Sequence, residues 1–250
     1  MKKKSYESHE IAYQRMKRNG LLIWGQKGSG TTGGKSRAEI NDFLNDVVSQ
    51  PWAPKSGKVI ELGCGTGPIL RQVCKRGFSG LGIDVSKTAI AMAKDQSEGL
   101  SIKFKQADVC NLNSEMLGKF DIVIDGLCLH CITAVKDRQA YWANVFKLLK
   151  DGGLFILLTM CGPMNIKGLL KAHKEYKIAE KILYVPFENK NYPGLKKIDC
   201  KPYLPTRYIE HWKDILNELR RAGFELKLLR YNACNDKDFF GTLNIGALKK

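Results

Sequence analysis

Acidic residues are in short supply in this 250-residue chain: 25 Asp and Glu stand against 41 Lys and Arg, a formal charge of +16. Such an excess raises the local concentration of anionic partners, nucleic acid among them. It identifies none, because 31 of the 41 cations are lysine, whereas forks onto phosphates and guanine edges favour arginine. Long apolar runs are also missing. Residues 154–160 form one of the longest, far below the roughly 20 needed to cross a bilayer. The basic start Met1-Lys2-Lys3-Lys4 leads into polar Ser5-Tyr6-Glu7-Ser8, so neither a membrane span nor a secretory signal is expected. No internal repeat is found. Eight cysteines without a secretory start read as reduced thiols of a cytoplasmic protein. Cys128 and Cys131 bracket His130, but a second Cys/His pair at finger-like spacing is lacking, so no metal site is expected. With 44 % apolar and 26 % charged residues, what remains is one ordinary folded domain over residues 1–250.

From Val59 onward short apolar runs alternate with helical periods, the pattern of a parallel sheet covered by helices on both faces. Residues 58–62, 80–84, 102–107, 120–124 and 154–158 read as five strands, with a helix after the second capped by Ser86. Leu169, Ala172, Tyr176, Ala179 and Leu183 recur at steps of three and four, which predicts an amphipathic helix, followed by irregular sequence over 184–205. Thr206 is expected to cap a helix carrying Ile209, Trp212, Ile215, Leu216 and Leu219, and residues 224–231 and 241–248 to close as an antiparallel hairpin. Residues 1–50 read as two helices around a glycine-rich stretch.

Two glycine-rich segments compete for the role of ligand loop. Residues 28–36 end in Gly34-Lys35-Ser36 like a P-loop, yet the glycine required five positions before Gly34 is Ser29. Glu61-Leu62-Gly63-Cys64-Gly65-Thr66-Gly67 sits where a strand turns into a helix, and bare backbone at Gly63 and Gly65 lets the chain turn tightly and a ligand approach. A dinucleotide fingerprint would place its third glycine at 68, which is Pro68.

With that loop the chain resembles the class I, Rossmann-like S-adenosylmethionine-dependent methyltransferases, in particular the compact enzymes of small molecules. The likeness continues in order through Asp84 at the end of strand two, Gln106-Ala107-Asp108-Val109, Phe120-Asp121-Ile122-Val123-Ile124-Asp125, and Leu148-Leu149-Lys150-Asp151-Gly152-Gly153. It implies an α/β fold: a doubly wound, seven-stranded, mostly parallel sheet with an antiparallel C-terminal strand, an N-terminal helical lid and a cap inserted between strands five and six. Residues 1–50 would be the N-terminal helices and lid, 51–162 the cofactor-binding half, 163–206 the cap, and 207–250 the closing helix and hairpin. A lid over 9–36 would offer Tyr13 and Trp24 to the pocket.

The resemblance also implies S-adenosyl-L-methionine as cofactor and S-adenosyl-L-homocysteine as product. Asp84, with Val85 beside it, would accept the ribose hydroxyls, and Asp108 the adenine amine, with the Val109 amide donating to the ring. Gly63, Cys64 and Gly65 would form the cradle, Glu61 would orient it, and Asp125 would stand near the sulfonium. His130, in the apolar run after strand four, is the candidate catalytic residue, either a base for the acceptor or a core histidine held by the backbone. The Asp/Asn-Pro-Pro-aromatic and Pro-Cys signatures of DNA-base enzymes are absent. A small-molecule N, O or S acceptor is the leading reading. The alternative is RNA or protein, from nine lysines over residues 167–201 interleaved with Tyr176, Tyr184, Phe187 and Tyr192.

Overall fold

The computed structural model describes residues 4–24, 26, 37–189, 192–235 and 239–250. Five strands, β1 (Lys58–Leu62), β2 (Ser79–Asp84), β3 (Ile102–Gln106), β4 (Phe120–Gly126) and β5 (Leu149–Met164), pair in parallel. Helices connect them: α3 (Pro68–Cys74), α4 (Lys87–Asp95), the short α5 (Ser114–Leu117) and α6 (Val135–Leu148). Before β1 come α1 (His9–Arg18) and α2 (Arg37–Ser49), and a 3-10 turn, Ser5–Ser8, leads into α1. The chain closes with α8 (Trp212–Arg221) and the antiparallel strands β10 (Phe224–Asn232) and β11 (Phe240–Lys249). The sheet order is β10-β11-β5-β4-β1-β2-β3, so the order reverses between β1 and β4, where crevices open at the carboxyl ends of strands.

Both sheet faces are dry, which is why the central strands read as continuous apolar runs. Ile60, Leu62, Val123, Phe155 and Ile245 pack under Tyr141, Val145 and Leu148 of α6 and Ile215 and Leu219 of α8. On the other face Val59, Ile122, Ile124 and Ile156 meet Phe43, Leu44 and Val47 of α2, Leu70 and Val73 of α3 and Ile90 of α4. Ser86 caps α4, accepting from the Ala89 amide as expected.

The segment between β5 and α8 departs from the sequence reading. The helix expected over residues 169–183 stops early: α7 spans Ile166–Ala172, and the chain then forms a second, antiparallel sheet. Its strands are β6 (Lys177–Ala179), β7 (Ile182–Pro186), β8 (Lys196–Ile198) and β9 (Lys201–Tyr208), in the order β6-β7-β9-β8. Two-residue turns make its hairpins, with Glu180 and Lys181 at φ 50° and 65° and Asp199 and Cys200 at 51° and 60°. Left-handed pairs of this kind match the twist of the flanking strands. Thr206 therefore lies in β9, its hydroxyl donating to the Leu183 carbonyl, and His211 caps α8 by accepting from the Lys213 amide. The P-loop-like stretch at 28–36 and the matching part of the expected lid lie outside the described residues.

Candidate cofactor and acceptor site

The glycine loop leaves β1 at the switch point with Gly63, Gly65 and Gly67 at φ 63°, 52° and 74°, a conformation side-chain-bearing residues rarely adopt. A Cβ at Gly63 would fall 2.7 Å from Cys128 Sγ, and one at Gly65 would collide with the Tyr13 hydroxyl. Cys64 fixes the loop by donating its amide to the Ile83 carbonyl at 2.9 Å. Asp84, at the end of β2, ties the loop to α4: Oδ2 accepts from the Gly65 amide and Oδ1 from the Ser86 amide, both at 2.8 Å. Burial raises the Asp84 pKa, and the two backbone donors offset that only in part. Glu61 is buried and accepts from the Leu70 amide at 3.0 Å, so it anchors the first turn of α3 beneath the loop.

The N-terminal segment lies across this edge. Asp108, beyond β3, accepts from the Tyr6 hydroxyl and the Cys110 amide, each at 2.9 Å, and pairs with Lys4 at 3.3 Å. Val109 is buried beside it with its carbonyl bound to the Asn144 amide group, and the Val85 carbonyl accepts from Gln106. Glu10 of α1 clasps the N-terminus of α4 through the Ser86 and Thr88 hydroxyls, both at 2.6 Å, and the Thr88 amide. Those bonds hold its carboxyl below the usual range, against a desolvation cost. Tyr13 packs edge-on against Trp24, with ring centroids 5.5 Å apart.

After β4 the chain turns sharply through Leu127, whose φ of 79° is unusual for a branched residue, into a 3-10 turn, Leu129–Cys131. Asp125 organises that turn. Fully buried, it accepts from the amides of Cys128 and Leu129 and from the Tyr141 hydroxyl at 2.5 Å, and burial lifts its pKa to about 6. His130 is 3 % exposed, and its Nδ1 lies 3.2 Å from the Thr159 hydroxyl and accepts from the Met160 amide at 3.4 Å. An amide can only donate, so the neutral ring carries its proton on Nε2. His9 has the opposite tautomer: Nδ1 lies 2.7 Å from the Tyr6 carbonyl and must donate, which leaves the Nε2 lone pair facing Cys131 Sγ at 3.9 Å. Burial lowers the pKa of both histidines, and the Arg207 charge on β9 lowers them further. That same charge and His130 pull the Cys131 thiol down despite its burial.

The structure thus brings Glu61, the glycine loop, Asp84, Val85, Asp108, Val109, Asp125 and His130 to one sheet edge. Tyr6, His9, Glu10 and Arg207 join them without any sequence motif to announce them. They arrive from the N-terminal segment and the second sheet, and only the packing of those elements reveals them.

Sheet order, glycine cradle and acidic strand ends define a class I Rossmann-like site. Residues 59–153 match a family model described as a methyltransferase domain. It is 30 % identical over 124 residues to the ubiquinone biosynthesis O-methyltransferase of Pseudomonas aeruginosa, covering 49 % of this chain and 52 % of that protein. It is 36 % identical over 117 residues to EEF1A lysine methyltransferase 2 of Homo sapiens, covering 43 % and 49 %. The chain thus spans about half the length of the curated relatives it matches. A solved S-adenosylmethionine-dependent methyltransferase from Clostridium acetobutylicum superposes with TM-score 0.61 at 17 % identity, covering 98 % of both chains. One from Methanosarcina mazei gives 0.62 at 19 %, covering 83 % of this chain and 96 % of that one. At such identities these two structures speak for the fold.

Proposed function

We propose that the chain methylates an N, O or S atom of a small-molecule acceptor, using S-adenosylmethionine. The residues fit that cofactor. Gly63 and Gly65 present bare backbone, and each Asp84 oxygen, engaged once by an amide, keeps a lone pair for a ribose hydroxyl. Asp108 and the Val109 amide stand where the adenine would be read, once Tyr6 and Lys4 yield the carboxylate. When bound, the cofactor supplies an electrophilic methyl on sulfur and leaves as S-adenosylhomocysteine.

The observation that carries a small acceptor is enclosure. The turn after β4 lies beneath β9 and the N-terminal segment, and His130 and Cys131 are buried there. Much of the rate in such a displacement comes from alignment, which the rigid turn held by Asp125 would supply. His9 Nε2 is the lone pair suited to take a proton from the acceptor, and lowered pKa values keep both imidazoles neutral near pH 7. His130, bonded to the strand backbone, orients this wall. The relative named as a lysine methyltransferase supports a protein acceptor as second reading.

Calorimetry tests the cofactor. S-adenosylhomocysteine should bind in the micromolar range with Asp84→Ala abolishing the heat, and NAD binding with no response to the sulfur ligand would reject the reading. Labelled-methyl transfer to a metabolite extract, against total RNA and whole protein, tests the acceptor.

A further inference from the structure

Arg207 lies on β9, which packs against both the Leu129–Cys131 turn and the Ser5–Ser8 turn. It is half-buried, and one guanidinium nitrogen donates to the Thr206 carbonyl at 2.8 Å. Among the described residues no carboxylate comes within ion-pair distance of it. Two other arginines are matched by carboxylates: Arg138 pairs with Glu218 at 2.6 Å, and Arg230 with Asp42 and Asp46 at 2.6 and 3.3 Å. Arg207 instead sits on the strand that packs against the turns leading into His9 and carrying His130 and Cys131, and its charge acts to lower the pKa of those groups and of Tyr176. These are uncharged imidazoles, a thiol and a phenol, and two of the group, His130 and Cys131, are buried. Withdrawing a guanidinium from water without an anion is costly, and its planar fork suits a carboxylate or phosphate.

The placement is also ordered. His9 Nε2 stands 3.9 Å from Cys131 Sγ, Asp84 holds the glycine loop, and β9 brings Arg207 to the two turns that flank them. From this juxtaposition, and resting on the methyltransferase reading above, we infer that Arg207 determines specificity by binding an anionic group of the acceptor, a small-molecule acid whose reactive atom then faces His9. The anion binds the guanidinium nitrogens that Thr206 leaves open. A neutral analogue would leave the guanidinium without its partner, which is how a polar site rejects ligands that lack the matching group.

The test is calorimetry on the full chain with S-adenosylhomocysteine present, using benzoate, inorganic phosphate and uncharged benzamide as probes. Wild-type protein should bind benzoate or phosphate and ignore benzamide, and which of the two binds separates a carboxylate site from a phosphate site. Arg207→Gln should weaken the preferred anion by about tenfold or more, and Arg207→Lys, which keeps charge without the fork, by less. S-adenosylhomocysteine affinity should be the same in all three proteins, which also reports folding. Equal anion binding in Arg207→Gln, benzamide binding as well as benzoate, or no anion binding to wild type would overturn the inference. Failure of wild type to bind S-adenosylhomocysteine would instead strike the methyltransferase reading. In parallel, a metabolite extract split by anion exchange should take labelled methyl in its acidic fraction, and label confined to the non-acidic fraction counts against Arg207.

Discussion

Asp125 shows how a single buried acid leaves a signature in stability. Its pKa of about 6 in the folded protein lies above the unfolded value of roughly 3.9, because burial outweighs the three hydrogen bonds it accepts. Between about pH 4 and pH 6 the native state therefore holds a proton that the unfolded chain has released, so this residue's contribution to stability falls as pH rises through that window. A shift of that size corresponds to about 3 kcal/mol at most. Asp125→Asn cannot titrate, and its amide group faces donors, which costs about 1–3 kcal/mol at low pH. Urea melts from pH 4 to pH 7 should show the variant's deficit shrinking as pH rises. A deficit that grows with pH would mean that Asp125 is ionised throughout. His130 was legible as a special residue because an imidazole in an apolar run needs a partner, and the Thr159 hydroxyl and the Met160 amide meet its Nδ1. His9 was not, since its surroundings in sequence are ordinary.

At the scale of elements, α1 is held over the site chiefly by one side chain. Glu10 makes three bonds to the first turn of α4, and α1 otherwise rests on the small cluster of Tyr13, Met16 and Ala89 with Leu21 and Trp24. Glu10→Ala should speed amide exchange across residues 9–18 while β1, β4 and β5 keep their protection. Exchange that stays slow in α1 would assign its docking to the apolar cluster instead. The same reasoning explains what could be read in advance. The strands β1, β4 and β5 are largely buried on both faces and announce themselves as apolar runs, while the edge strand β3 alternates lysine with apolar residues. The second sheet stayed hidden because the steps from Leu169 to Leu183 imitate a helical stripe, and its hairpins turn at Glu180-Lys181 and Asp199-Cys200 without glycine or asparagine. A short apolar run, Ile182-Leu183-Tyr184-Val185, was nonetheless present. Distant partners such as Tyr6 on Asp108, 102 residues apart, have no local signal at all.

For the molecule as a whole the question is what a charge of +16 is for. The lysines of the second sheet and its approach do not form one free patch. Lys177 pairs with Asp199 at 3.1 Å, Lys181 with Glu210 at 2.5 Å, and Lys196 stands over the Tyr184 ring at 5.4 Å, while Lys171, Lys174 and Lys197 are exposed. Scattered lysine of this kind makes a positive field that draws small anions without gripping a polymer. The two uses differ in salt dependence. A monovalent acid meeting Arg207 displaces about one counterion, whereas RNA lying across a basic surface displaces several, so its affinity falls by orders of magnitude between 50 and 200 mM salt. Benzoate binding in the presence of S-adenosylhomocysteine should therefore weaken only a few-fold over that range, and Lys171→Ala, Lys174→Ala and Lys197→Ala together should leave it unchanged. Filter binding with total RNA should show no tight complex at 150 mM salt. A steep salt slope with RNA that the triple variant flattens would make the lysines a docking surface for a polymer, and the acceptor would then have to be sought there.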